Sequence, residues 1–409
     1  TIGLFGDSMQ GIYDDGIGNI KEHLKTGSLE KINKEDNFRC SQEVINFINI
    51  IRTDDIEQKI ALKQEETVSH RKGSVTLYYS ICGKKPNTFS KPDVKKTYLS
   101  KLNDLIDLTK KEFNHPNTKI LMLTNKSISI EMEFVNLYNV FSARYTEVKD
   151  DIEKEFSKIQ ISDIIKLCKL YSSQKYNPLI VYLKKNGFKI KSFEDKKKIS
   201  KHFEYLLNTK LNLQEVLDYS FKHKLIKKSE IFKYYMNKKE VYLNEYNSNL
   251  NYQKLEKLSI SGSNTRKRLK DNHDIELSEE EFGNFDKVLK KKTFYIDLFS
   301  EKLEFKEALN YYSYLNEEEE TEYITMHKTK GSGIENVIVV LDEYFWNKYN
   351  FKSIYDSSID DEKRYNNQKL FYVASSRTIK NLAIIRMVED EDEEVIMKDY
   401  FKECKLNKK

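Results

Sequence analysis

Apolar residues fall along this chain in three regimes. At both ends, short unbroken apolar runs alternate with stretches of helical spacing, whereas in the middle helical spacing persists alone. Ile2 to Phe5 reads as a short strand ending at Gly6-Asp7, and Gly11, Gly16 and Gly18 make a loop after it. Val44, Phe47, Ile48 and Ile51 recur at helical spacing, with Ser41 placed to start the helix and Glu43 in its first turn. Gly73 to Ser80 is rich in β-formers and predicts a strand. Tyr98 to Phe113 reads as a helix and Lys119 to Thr124 as a buried strand, after which Ser127 is placed to cap a helix running through Tyr138. Val337–Leu341 and Asn381–Ile385 supply two more strands. Strand and helix in alternation predict an α/β fold, a parallel sheet with covering helices. The basic tail Lys402 to Lys409 is expected to fray.

From about 140 to 315 strand signals become sparse. Ile161, Ile164, Ile165 and Cys168 share one helical stripe, Phe203, Leu206 and Leu207 another, and Pro178 and Gly187 mark breaks. A mainly helical domain is therefore expected inside the α/β unit, with Ser261 to Lys270 as a polar, basic loop and Glu317 to Glu320 marking the return to the sheet. The divisions are 1–36, 37–140, 141–315 and 316–409, with the helical insertion as the third.

Composition narrows the class without naming it. The 409 residues suffice for two or three domains, and 33% charged with 39% hydrophobic residues suits a globular protein. Seventy basic against 65 acidic residues leave a net charge of +5, too even to argue for nucleic-acid binding, so any such surface has to come from local clustering. Cys40, Cys82, Cys168 and Cys404 show no metal-ligand spacing and fit free thiols in a reducing, cytoplasmic setting. No apolar run approaches the roughly 18 residues of a membrane span, and no signal peptide is evident.

Four polar stretches carry candidate chemistry. Before the Val337–Leu341 strand, Thr325, His327, Lys328, Lys330 and Gly331 crowd one loop, where backbone at a Gly approaches a ligand closely and a Lys beside it meets an anion. His327 either contacts a bound strand or buttresses the loop by a hydrogen bond, and it has no second ligand at metal-binding spacing. Gln10, at a strand end behind Asp7, has an amide able to sense a phosphate or its attacking water; the alternative is a turn former. Arg39 follows Asn37-Phe38. A planar, always charged guanidinium there suits charge developing on a transferring phosphoryl group, or else pairs with Glu43 at a helix start. Arg377 ends the run Leu370 to Ser376, which contains Tyr372, so that a helix or strand end presents one arginine; the alternative is an ordinary surface arginine. Trp346 lies in an aromatic loop that stacks on bases or packs locally, packing being the commoner fate.

In their order, the stretches Gly6 to Tyr13, Asn37 to Arg39, Thr325 to Gly331 and Leu370 to Arg377 resemble motifs III to VI of the UvrD/PcrA/Rep family of superfamily-one DNA helicases. The resemblance implies a RecA-like second lobe of P-loop NTPase type, formed by 37–140 and 316–409, with 1–36 closing a first lobe that lies upstream. It implies Gln10, Arg39 and Arg377 as catalytic residues. Asp7, Gln10, Arg39, Lys330, Gly331 and Arg377 would face the nucleotide, and Tyr13, Thr325, His327 and Lys328 the DNA. ATP and Mg²⁺, shared with the first lobe, would drive 3′-to-5′ movement on single-stranded or partly duplex DNA. The sequence departs from the family at Asp15-Gly16, where Trp-Arg is usual, at Ser332-Gly333, where Leu-Glu is usual, and at Thr124, where Arg is common. No Gly-x-x-x-x-Gly-Lys-Ser/Thr occurs, so this stretch alone is not expected to hydrolyse ATP. Two other functions fit the same motifs: a non-catalytic nucleic-acid-binding module, and a helicase-like DNA-sensing subunit beside a nuclease partner in anti-phage defence.

Overall fold

Short apolar runs become strands when both of their faces are covered, and this governs the sheet. A computed structural model describes residues 6–12, 31–87, 89–259, 265–316, 321–343, 346, 348–359 and 363–409. The strand expected at Ile2 to Phe5, Tyr13 and the Asp15-Gly16 pair lie outside these residues. The chain divides into two compact units, Thr1–Glu131 with Glu317–Lys409, and Met132–Asn316.

In the first unit, β1 (Asp36–Asn37) and β2 (Lys59–Ile60) pair in parallel, joined by helix α1 (Gln42–Ile51). Next come β3 (Ser74–Ile81), helix α2 (Pro92–Phe113), β4 (Thr118–Met122) and helix α3 (Asn125–Glu131). Beyond the second unit follow β5 (Tyr323–Thr325), β6 (Ile334–Leu341), helix α4 (Arg364–Ser375), β7 (Thr378–Val388), helix α5 (Glu391–Tyr400) and β8 (Lys405–Lys408). Strands β3 to β8 form one sheet in the order β5-β4-β6-β7-β3-β8, every neighbouring pair parallel. The expected α/β class with a parallel sheet is thus observed.

One register row crosses all six strands: Ile324, Leu121, Val339, Ile384, Leu77 and Leu406. On that face the sheet packs against Val44, Phe47 and Ile48 of α1 and Leu370, Phe371 and Val373 of α4, all at most 3% exposed. Helix α2 covers β3 and β7 on the other face. Ser41 caps α1 by accepting the Val44 N–H, while its hydroxyl donates to the Lys380 carbonyl at 2.9 Å.

Three expectations need correction. The tail does not fray: Lys405–Lys408 pairs with β3, and the Lys409 N–H donates to the Tyr79 carbonyl at 2.8 Å. The helix expected through Tyr138 is interrupted, because α3 stops at Glu131, Glu133 has φ +53°, and a new helix spans Val135–Ser142. Its cap is Thr124, whose Oγ1 accepts the Ser127 N–H at 3.0 Å. The basic stretch Ser261 to Lys270, expected as a loop, is helical from Thr265, within Thr265–His273, and its first four residues lie outside the described residues.

The second unit contains only helices among its described elements, together with one isolated antiparallel bridge between Asn212 and Glu304. Ser192, Asn212 and Ser278 start three of these helices with capping boxes. Ile161, Ile164, Leu167 and Cys168 bury one stripe of the Ile161–Ser172 helix, and Phe203 and Leu206 one of Phe193–Leu207.

Gly73 fixes the approach of β3 to β7. A Cβ there would collide with the Lys380 carbonyl and the Ser41 hydroxyl, while the Gly73 N–H donates to Glu43 at 2.8 Å. Gly73→Ala is expected to destabilise the first unit by about 1–3 kcal/mol, the usual cost of overpacking, read as a lower urea midpoint. An unchanged midpoint would show that the strand shifts freely.

Candidate functional site

The segment Asn37–Cys40 is a tight polar turn before α1. Asn37 Oδ1 accepts the N–H groups of Arg39 at 2.8 Å and Cys40 at 2.9 Å. Arg71, itself buried, clamps the turn by donating to the carbonyls of Asn37 at 2.9 Å and Cys40. The turn turns Arg39 away from Glu43, whose carboxylate takes the Gly73 N–H. Arg39 instead lies along Gly333, where a Cβ would stand 3.7 Å from its Cδ and Nε, and donates to the Ser376 carbonyl at 3.4 Å.

Arg377 follows the last turn of α4 and leads into β7. It is 2% exposed, so it is not a surface arginine. Its Nε donates to the Val373 carbonyl at 3.1 Å and its Nη2 to Ser376 Oγ at 3.3 Å. Carbonyls at a helix C-terminus carry partial negative charge, and that partly offsets burial of the cation. Burial, and then the neighbouring Arg39, lower the Arg377 pKa from its ordinary value. Burial likewise pushes the Cys40 thiol up, so it stays neutral and supplies no counter-charge. Among the described residues neither Arg39 nor Arg377 has a carboxylate within ion-pair distance. Two adjacent guanidiniums without a carboxylate partner have the charge and donors to hold an anion.

Both arginines line a cleft of about 610 Å³, together with Gln10, Asn37, Gln58 and Tyr372. Gln10 ends a short 3₁₀ turn, Ser8–Gln10, capped by Asp7, whose side chain accepts the Met9 N–H. The Gln10 amide donates to Asp7 Oδ2 at 2.9 Å. Asp7 does not line the cleft; its carboxylate pairs with Arg52 at 3.1 Å. Arg52 is a residue the sequence reading missed. Its side chain is 2% exposed and held between Asp7 and Asp54, with Arg52 Nη2 to Asp54 Oδ2 at 2.7 Å. Burial works against its charge, but the hydrogen bonds to Asp54 and Asp7 outweigh burial and raise its pKa. Arg52 ends the apolar stripe of α1 with Asp54 two residues on, and that pairing is the one signal a reader could have used.

The loop from Thr325 to Gly333 runs back along the sheet from the carboxyl end of β5 to the amino end of β6. Its start lies away from the arginines. Thr325 is buried, Met326–Thr329 forms a 3₁₀ turn, and Lys328 and Lys330 are exposed. Gly331 has φ +93°, a conformation that favours glycine. Of the loop, Gly333 reaches the arginine cleft, and Lys330 and Gly331 do not line it. His327 makes the buttressing hydrogen bond, Nε2 to Tyr349 OH at 3.0 Å. Tyr349 packs in turn on Trp346, ring centres 5.1 Å apart. These two aromatics flank a second cleft of about 320 Å³ at the carboxyl ends of β3, β6 and β7, lined also by Lys85, Asp342, Glu343 and Arg386. Arg386 is 1% exposed and bridges Glu343 at 3.0 Å and Glu393 at 3.6 Å. Among the described residues no group of three or more His, Cys, Asp or Glu could hold a metal ion, and no helix is long and apolar enough to cross a membrane.

No protein-family model matches the chain. It is similar to the Gabija protein GajB of Bacillus cereus (strain HuB5-5), 28% identical over 437 aligned residues that take in 98% of this chain and 56% of the relative. The chain thus spans a little over half the length of the curated relative it matches.

Burial, and then Lys348, lower the His327 pKa from its ordinary value near 6.5. Above that value the ring is neutral in both folded and unfolded chains. As pH falls from about 6.5 through the lower folded pKa, the unfolded chain takes the proton first and stability is lost. The expected outcome is a ring titration midpoint for His327 below 6.5 by NMR, with the urea midpoint falling over the same range. A midpoint at or above 6.5 overturns the neutral buttress.

Proposed function

We propose that the chain is the second, RecA-like lobe and helical insertion of an ATP-dependent DNA translocase or helicase. The observation that carries this reading is the pair Arg39 and Arg377, brought from opposite ends of the sequence to one cleft, with neither guanidinium ion-paired to a carboxylate among the described residues; of the carboxylates that line the cleft, Glu66 is taken by Arg71. Phosphoryl transfer spreads negative charge over the γ-phosphate oxygens in the transition state, and preorganised guanidiniums stabilise that charge more than they stabilise bound ATP. Arg39 reaches the cleft on a clamped turn and Arg377 from a helix end, so both are held before nucleotide arrives. Gln10 completes the set with an amide already tied to Asp7.

The phosphates also need a cradle of backbone N–H groups and a lysine, and no P-loop sequence occurs here. In this reading the nucleotide is held by the first lobe and met by this one. Among the described residues no group of three or more His, Cys, Asp or Glu gathers to hold a metal ion, and no step is assigned to Mg²⁺. DNA contact is proposed for the loop that starts at the carboxyl end of β5, with Thr325, His327 and Lys328, of which His327 bonds Tyr349 and so reaches the aromatic pair Tyr349 and Trp346. The loop ending at Gly333 joins that region to the arginine cleft, a direct route from nucleotide state to strand grip.

A second reading keeps the same engine and makes the chain a DNA-sensing subunit beside a nuclease in anti-phage defence. Its specific support is that the similar protein is named as a Gabija protein rather than as a repair or replication helicase.

In the protein as expressed from its gene, DNA-stimulated ATP hydrolysis is expected, and Arg377→Ala should lower kcat by about 10²-fold or more with the fold intact by circular dichroism. Turnover equal to wild type in that variant sinks the assignment. Affinity for single-stranded oligonucleotide, followed by fluorescence anisotropy, is expected to fall steeply between about 50 and 200 mM salt. A flat salt response would remove backbone phosphates as the contact.

A further inference from the structure

Six side chains form an unbroken hydrogen-bonded path from Gln10 to Arg39, and it passes through one phenol. Gln10 donates to Asp7 at 2.9 Å, and Asp7 is gripped by Arg52 at 3.1 and 3.3 Å. Arg52 Nη1 donates to the Tyr372 hydroxyl at 2.6 Å. The same hydroxyl accepts from Gln58 Nε2 at 3.0 Å, and Gln58 Oε1 accepts from Asn37 Nδ2 at 2.7 Å. Asn37 Oδ1 in turn holds the Arg39 N–H. Gln58 is anchored through its backbone to Asn49 at both its N–H and its carbonyl, 2.9 Å each. Tyr372 sits on α4, one turn ahead of Arg377, and is 1% exposed.

We propose that Tyr372 is a positioning residue that sets Gln10, Arg39 and Arg377 in one geometry. The inference rests on the nucleotide reading of this cleft. A buried hydroxyl with two donors aimed at it has little freedom, and each donor belongs to a different arm of the site. Arg52 carries the arm that ends at Gln10, Gln58 the arm that ends at Arg39, and the helix of Tyr372 itself carries Arg377. Burial, then the nearby Asp7 charge, push the Tyr372 pKa up to about 12, so the phenol stays neutral and keeps this role across the physiological range. A group that aligns charges for the transition state acts on kcat and leaves ground-state nucleotide binding almost unchanged.

Tyr372→Phe keeps the ring in the core and removes only the shared acceptor. Gln58→Ala cuts the Arg39 arm from the half-buried rim without touching the core. In the protein as expressed from its gene, each is expected to lower kcat for ATP by about tenfold, with KM within about twofold of wild type. The double variant should be no slower than the slower single, because both changes cut one path. Losses that multiply, or a KM that rises while kcat holds, overturn the proposal. If wild type shows no ATP turnover at all, the nucleotide reading falls, and the positioning role is then decided by NMR on this chain. The Gln10 side-chain amide and the Arg39 Nε–H resonances both shift in Tyr372→Phe if the path holds, and stay in place if it does not.

Discussion

A single buried cation ties the first unit together around its cleft. Arg52 leaves the end of α1 and meets Asp7 from the opening segment, Asp54 from its own loop and Tyr372 from α4. Removing it would strand two carboxylates and a phenol at a nearly dry site, and breaking such a buried set typically costs about 3–5 kcal/mol. The two carboxylates keep roughly a fifth of their surface in water, which moves the cost toward the lower end. Replacing all three charges, Arg52, Asp7 and Asp54, by packed apolar residues would hold the fold equally well, but it would not fix the direction of Gln10 or of the Tyr372 hydroxyl. The charge is therefore explained by alignment more than by stability.

The sheet was legible because its strands are buried on both faces, and unbroken runs such as Val337–Leu341 have no other use in a chain this polar. The structure extends them, to Ile334–Leu341 and, more than doubling the expected length, Thr378–Val388. Ser41 with the stripe Val44, Phe47, Ile48 and Ile51 was legible for the same reason, a cap followed by one apolar face. β8 was not. Lys405-Leu-Asn-Lys408 has one apolar residue and owes its place to backbone pairing at an edge, where charged side chains are at home. Nor was the break at Glu133, where a left-handed φ is spent on a residue with no turn signature.

Within the cleft, the nearness of Arg39 and Arg377 came from the order of the motifs and from no pattern in the residues themselves. Arg71 and Gln58 left no trace at all, and Arg52 only its nearness to Asp54, since their meaning lies in partners far along the chain. Polar residues with tertiary partners have no periodicity to read. The two clefts at opposite ends of β6 are similar in this respect. Gly333 before the strand and Asp342 after it are separated by eight apolar-leaning residues that say nothing about either end.

The pairing of β8 has a practical side for anyone who handles this protein. Its Lys408 and Lys409 side chains reach Glu394 and Glu112, on helices that cover the sheet, while its backbone closes the flank of β3. Removing residues 405–409 would uncover a row of unsatisfied peptide groups along β3. Material cut there would be prone to join edge to edge with other copies, and a laboratory would meet that as precipitation rather than as loss of activity.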